Sequence, residues 1–229
     1  MMKKLFLLVL LLQPFLMYGQ LIRFKVSGTV KDVKQAKFAY LSTLSQRIPI
    51  SSSKVFIVTP VLDGKFEFVG TFDLEGKEYQ HACVFVGERG NISKEELESK
   101  FRQLVWLVGR ENNLRGIILE DVQLEADSPD KMNTSVVVGG GILSQQLDES
   151  NEAFKIKNRK MLEFVKKYPD SPVSFDAVSS ISEPLIKLKR DRLNGMWGSP
   201  TELYNLLSER LRNSKKGQEL QRMILQGDL

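Results

Sequence analysis

The chain has one histidine and one cysteine, His81 and Cys83, two residues apart. On an extended strand that spacing puts both side chains on one face, and a Cys–His pair is a known route to a thiolate nucleophile. The competing reading is a buried cysteine that acts as a small hydrophobe beside Val84 and Phe85, with a half-exposed histidine nearby. Neighbouring side chains on one strand leave little room for a substrate between them, so the second reading is preferred. His81 and Cys83 stand as weak candidates only. Two soft ligands fall short of the three or four that zinc takes, so no metal is expected. The run Val136-Val137-Val138-Gly139-Gly140-Gly141 ahead of a helix has the outline of a phosphate-cradling turn. It lacks the G-x-x-x-x-G-K-[ST] pattern and a βαβ setting, and the glycines more simply release the chain from sheet to helix. Glu95, Glu96 and Glu98 make a negative first turn, which favours a helix start rather than carboxylate catalysis. Trp106 and Trp197 could stack on a sugar or peptide, though single aromatics more often fill a core. No catalytic residue and no cofactor is expected, and the chain is read as not an enzyme.

The elements that would carry these residues begin with Lys54 to Phe72. Val55 to Val58 leads to Asp63-Gly64, after which Phe66, Phe68 and Phe72 recur on even positions. Asp-Gly between alternating apolar runs is a strong hairpin signal, because a type I′ turn needs positive φ at both centres. Before it, Leu21 to Val30 alternates with Gly28 as a candidate bulge, and Phe38 to Leu41 is a second strand. Arg47 to Ser53 reads as a loop. After it come His81 to Val86, strands resuming over Ile117 to Ala126, a turn over Asp127 to Asn133, and Ser135 to Val138. Between strands, Asn91 to Gly109 reads as a helix. Ser93 and Glu96 form a capping box, Ile92 and Leu97 a hydrophobic staple, and Leu97, Phe101, Leu104, Val105 and Val108 share one face.

Past Gly141 the period changes from 2 to 3.6. Phe154, Met161, Val165 and Tyr168 mark one long helix ending before Pro169. Ser171-Pro172 starts another with Phe175, Val178 and Ile181, which Pro184 ends or kinks before Leu185 and Leu188. Ser199-Pro200-Thr201-Glu202 repeats the start with a full capping box, followed by Leu203, Leu207 and Leu211. Ser214 opens a last helix with Leu220, Met223 and Ile224 inward.

Met1 to Gln20 has the form of a secretory signal peptide. Lys3 and Lys4 precede the apolar run Leu5 to Leu12, and Gly19 is a small residue at the expected cleavage point. The run is too short to span a bilayer. Export to the periplasm or cell envelope is therefore expected, leaving about 210 residues. One cysteine allows no internal disulfide. The formal charge of +5 falls to +3 without the two signal lysines, with 16 basic and 16 acidic residues in 20–141 and 15 and 12 in 142–229. That is no clustered excess of the kind nucleic acid requires, and Lys187, Lys189, Arg190 and Arg192 are read as solvated helix faces.

The order Val26-Ser27-Gly28-Thr29-Val30, Ala39-Tyr40-Leu41 and Asp63-Gly64-Lys65-Phe66-Glu67-Phe68-Val69-Gly70 resembles a domain of unknown function from the Gram-negative (Bacteroidota-type) envelope. In that family it precedes a thioredoxin-like module of the kind seen in thiol-disulfide reductases and cytochrome c maturation proteins. The resemblance implies a small β-sandwich and then a helical linker. Phe164 to Ser171, with Tyr-Pro-Asp-Ser, and Asn213-Ser214-Lys215-Lys216-Gly217 are similar to that linker's recurring points. Two features depart from the pattern: Ser51-Ser52 stands where the family has Asp-Ser, and the Asn91–Gly109 helix reads as an insertion. The family's thioredoxin fold would follow Gly227 with Trp-Cys-x-x-Cys. The sequence given runs to Leu229 with a single cysteine, and a dithiol cycle needs two thiols.

The expectation is an α+β chain: signal peptide 1–19, an antiparallel β-sandwich with an inserted amphipathic helix over 20–141, and a helical region over 142–229. The function expected is that of a non-catalytic envelope module binding a partner, such as another envelope protein, or a ligand. The alternative is a truncated or degenerate relative of an envelope thiol-disulfide oxidoreductase.

Overall fold

The alternation of Leu21–Val30 becomes strand β1, with Phe24, Val26 and Val30 buried and Arg23 and Lys25 outward. The structure, a computed structural model, describes residues 20–33, 36–43, 53–102, 114–182 and 190–227. The signal segment 1–19, the family position Ser51-Ser52, Trp106, and the 184–189 segment with Pro184, Leu185 and Leu188 lie outside them. Among the described residues the fold is mixed α and β, with two four-stranded sheets and eight helices. The strands are β1, β2 (Phe38–Ser42), β3 (Phe56–Pro60), β4 (Lys65–Asp73), β5 (His81–Gly87), β6 (Arg115–Ile118), β7 (Val122–Ala126) and β8 (Val136–Gly140). One sheet runs β4-β1-β7-β8 and the other β3-β2-β5-β6. A single apolar cluster draws on both, including Phe24, Phe68 and Leu124 from the first sheet and Leu41, Val84 and Ile117 from the second.

The Asp63-Gly64 turn forms as its residues require, with φ of 49° and 75°. It does not close a hairpin between β3 and β4. β3 pairs with β2, β4 pairs with β1, and only Leu62 and Lys65 bridge across the turn. Pro60 has no N–H to continue a ladder, and the Val61 N–H is taken by the Lys37 carbonyl at 2.8 Å, so the chain changes sheets at this corner. It changes again at Leu119–Asp121, which divides the strand region expected over Ile117 to Ala126 into β6 and β7. β7 then enters beside β1 in the same direction, so this pairing is parallel where an antiparallel arrangement was expected. The β1–β4 register runs unbroken through Gly28, which is no bulge. A Cβ there would sit 2.3 Å from the Phe66 ring, and one on Gly70 would sit 2.6 Å from the Phe24 ring. The two glycines make room for cross-strand aromatics. The irregularity lies instead between Gln123 and Leu124.

Helix α1 (Lys94–Arg102) follows β5. Leu97 is fully buried with Tyr40, Cys83, Phe85 and Leu114, while Ile92 packs against the same group. Ser93 Oγ accepts the Glu96 N–H at 3.1 Å, but the Glu96 carboxylate is taken up by Arg89 and Lys100. The remainder of the expected apolar face, Leu104 to Val108, and its terminus at Gly109 lie outside the described residues.

Gly140 and Gly141, both at positive φ, lead into α2 (Ile142–Ile156). The one long helix expected there is two, because Lys157, Asn158 and Arg159 all take positive φ before α3 (Lys160–Lys167). The Arg159 N–H, bonded to the Met196 carbonyl at 2.6 Å, holds this break. α4 (Pro172–Ser182), α5 (Arg190–Trp197), α6 (Pro200–Leu206), α7 (Glu209–Asn213) and α8 (Lys215–Gly227) complete the helical part. The Ser199–Glu202 capping box is present in both directions. Leu203, Leu207 and Leu211 are all buried, but Ser208 caps a new helix between them, its Oγ accepting the Leu211 N–H. These helices share a second apolar cluster around Met161, Val165, Val178 and Leu203, which also takes in Ile118 of β6.

Candidate functional site

Cys83 and His81 share the outer face of β5, as a period of two requires, yet their surroundings differ. Cys83 is 2% exposed, sealed under α1 among Tyr40, Phe85, Leu97 and Leu114. The Tyr40 and Phe85 rings stack at 4.7 Å beside it. Burial pushes its thiol up to about 12, because desolvation penalises the thiolate. At neutral pH the thiol is therefore held in its protonated form. A nucleophilic or redox cysteine needs the opposite surroundings, partly exposed and electropositive.

His81 opens β5 and is half-buried. Its ring meets Tyr79 edge-on, centroids 5.1 Å apart. Both line a cleft of about 350 Å³ between the lead-in to β5 and the helical part. Lys77, Glu78 and Gln80 contribute from the same lead-in. The far wall comes from Pro172, Phe175 and Asp176 in the first turns of α4, from Leu211 of α7, and from Ser214 and Lys216 at the start of α8. The Tyr79 hydroxyl donates to the Asp176 carboxylate across the cleft. Glu78 is 3.7 Å from Arg210, which also holds Asp170 at 2.9 Å. Lys77 donates to Gln80 Oε1 at 3.5 Å.

The sheet and the helices are fastened beside this cleft. Arg115, 7% exposed, reaches Asp148 of α2 at 2.5 Å. The Glu120 carboxylate accepts the Leu143 and Ser144 N–H groups at 3.2 and 2.7 Å, satisfying first-turn donors that Gly141 has no side chain to cap. Ser144 Oγ in turn accepts the Ile118 N–H at 3.0 Å.

Of the other residues singled out in the sequence, Glu98 is spent in structure, its carboxylate accepting the Ser53 N–H at 2.7 Å. Trp197 donates Nε1–H to the Phe154 carbonyl at 3.1 Å and packs edge-on to the Phe154 ring. Gly139, Gly140 and Gly141 close the β8–α2 junction, where the Gly141 N–H bonds to the Asp121 carbonyl at 2.7 Å. Among the described residues no group of three His, Cys, Asp or Glu gathers as for a metal ion, and no helix is long and apolar enough to cross a membrane. Sequence reasoning found His81 but none of its cleft partners. Tyr79 and Asp176 are 97 residues apart, and no motif joins them. No family model, curated protein or solved structure matches the chain significantly.

Proposed function

We propose that this chain is a non-catalytic, exported cell-envelope module that works by binding a partner or ligand. In this reading its two sheets form a sandwich, with the Asn91–Gly109 segment as an inserted amphipathic helix. The observation that carries the proposal is the sealing of Cys83, which removes the one thiol from exchange chemistry. The helical part, meeting the second sheet at β6, leaves a cleft at the junction of the two, a common place for ligands to bind. A thiol titration with an aromatic disulfide reagent tests it. The native protein is expected to give no fast reaction at pH 8 and one equivalent after denaturation. In a dithiol-exchange assay it is expected to match the buffer blank. Exchange that disappears in Cys83→Ala would overturn the proposal in favour of a degenerate thiol-disulfide oxidoreductase.

A further inference from the structure

The cleft at the sheet–helix junction has an uneven charge ledger. Its two carboxylates are engaged, Asp176 by the Tyr79 hydroxyl and Glu78 by Arg210. Its two lysines are not matched by carboxylates among the described residues. Lys77 touches only the neutral Gln80 amide at the limit of hydrogen bonding, and Lys216, exposed at the start of α8, makes no ion pair among the described residues. Between the rims the walls are flat and half-buried, formed by the Tyr79 and His81 rings on one side and Phe175 and Pro172 on the other. Residues at the starts of α4 and of the 13-residue α8 line the same space, and the helix dipoles there carry the same sign as the lysines. A volume of about 350 Å³ is that of a small-molecule site, near the lower end of the usual range of about 300–1,000 Å³.

From this we infer that the cleft binds a small organic anion, one with a flat apolar body held between Tyr79, His81 and Phe175 and a phosphate, sulfonate or carboxylate head set toward Lys77 and Lys216. The inference rests on the binding-module reading above and names its ligand class. The bonds already made by Asp176 and Glu78 keep their charges from opposing the ligand at full strength. Apolar contact fixes the body, and the rim lysines select the sign.

The probe is 1-naphthyl phosphate, titrated into the full mature chain by calorimetry and by amide chemical shifts, with inorganic phosphate and 1-naphthol as its two halves. Saturable binding in the sub-millimolar range is expected, with each half at least about tenfold weaker. Lys77→Ala and Lys216→Ala each weaken it by about two- to fivefold, as for exposed charge contacts, and added salt weakens it further. Both lysines are solvent-facing, so the variants keep the fold, checked by unchanged thermal midpoints. Absence of saturation at 10 mM, unchanged affinity in the double variant, or inorganic phosphate binding as tightly as the probe would each overturn the inference while leaving the non-catalytic reading intact. Lysine-dependent release of 1-naphthol would support the cleft and overturn that reading instead.

Discussion

At the scale of single residues, burial decides what each group can do. Cys83 behaves as a small apolar side chain, so Cys83→Ala is expected to cost about 1 kcal/mol. Cys83→Ser is expected to cost about 2 kcal/mol or more, because a hydroxyl would be stranded among Tyr40, Phe85 and Leu97. Denaturant unfolding of the two variants gives the order, and a serine variant as stable as the alanine one would mean the pocket is wetter than its lining suggests. Lys157 makes the opposite case. Its φ of 62° and ψ of −122° suit glycine and strain any side chain with a Cβ. Lys157→Gly should therefore stabilise the protein by about 1 kcal/mol, and a lower unfolding midpoint would show that the lysine makes a compensating contact. Nothing in the sequence marks this position, since no glycine or proline signals the break between α2 and α3. The i, i+2 spacing of His81 and Cys83 was legible. The packing of α1 over one and the far wall of the cleft beside the other were not, because no local pattern says which face a helix covers and that wall comes from α4, α7 and α8.

At the scale of elements, local chemistry was readable and pairing was not. Asp63-Gly64, Ser171-Pro172 and Ser199–Glu202 each form what their side chains dictate, since turns and caps are settled within four residues. Sheet membership is settled elsewhere. Pro60 and the Leu119–Asp121 corner send adjacent strands to different sheets, and the alternation of Phe66, Phe68 and Phe72 is the same whichever partner β4 takes. The start of α2 follows the same rule. Its cap is Glu120, from a corner more than twenty residues upstream, so the helix end looks uncapped in sequence. Glu120→Ala is expected to destabilise by about 1–2 kcal/mol, measured by denaturant unfolding against Glu152→Ala, an exposed position on the same helix whose loss should fall within about 0.5 kcal/mol. Equal effects would mean that the corner carboxylate does not hold the helix start.

At the scale of the whole molecule, among the described residues the sheets and the helical part meet through Ile118, the Arg115–Asp148 pair, the bonds of Glu120 and Ser144, and the contacts around the cleft. Arg115 is the most exposed to failure, because its charge is buried and Asp148 is the carboxylate that meets it. Asp148→Ala is expected to cost about 2 kcal/mol, in the range of a lost charged hydrogen bond. The helical part is closed by a second charged knot, in which the Ser208 hydroxyl and Arg210 both donate to Asp170 while the Ser208 N–H takes the Pro169 carbonyl. The bond from Ser208, then that from Arg210, holds the Asp170 carboxyl below its ordinary 3.8. A carboxyl depressed on folding stabilises the folded state fully above its unfolded value and loses that contribution as the pH falls through the folded one. The same sign holds for Glu202, lowered from 4.5 by the Ser199 backbone and by Arg159. It holds too for Glu149, where burial opposes the charge but the bonds from Lys167 and Tyr168 outweigh it. All three lie in the helical part, but Glu95 and Glu96 of α1 are lowered as well, so acid should weaken both parts of the fold. The thermal midpoint of Asp170→Asn is expected to lie below that of the unaltered chain at pH 7, with the gap narrowing once the pH drops below 3.8. A gap that stayed constant from pH 7 to pH 3 would mean that Asp170 acts through its shape and not through its charge.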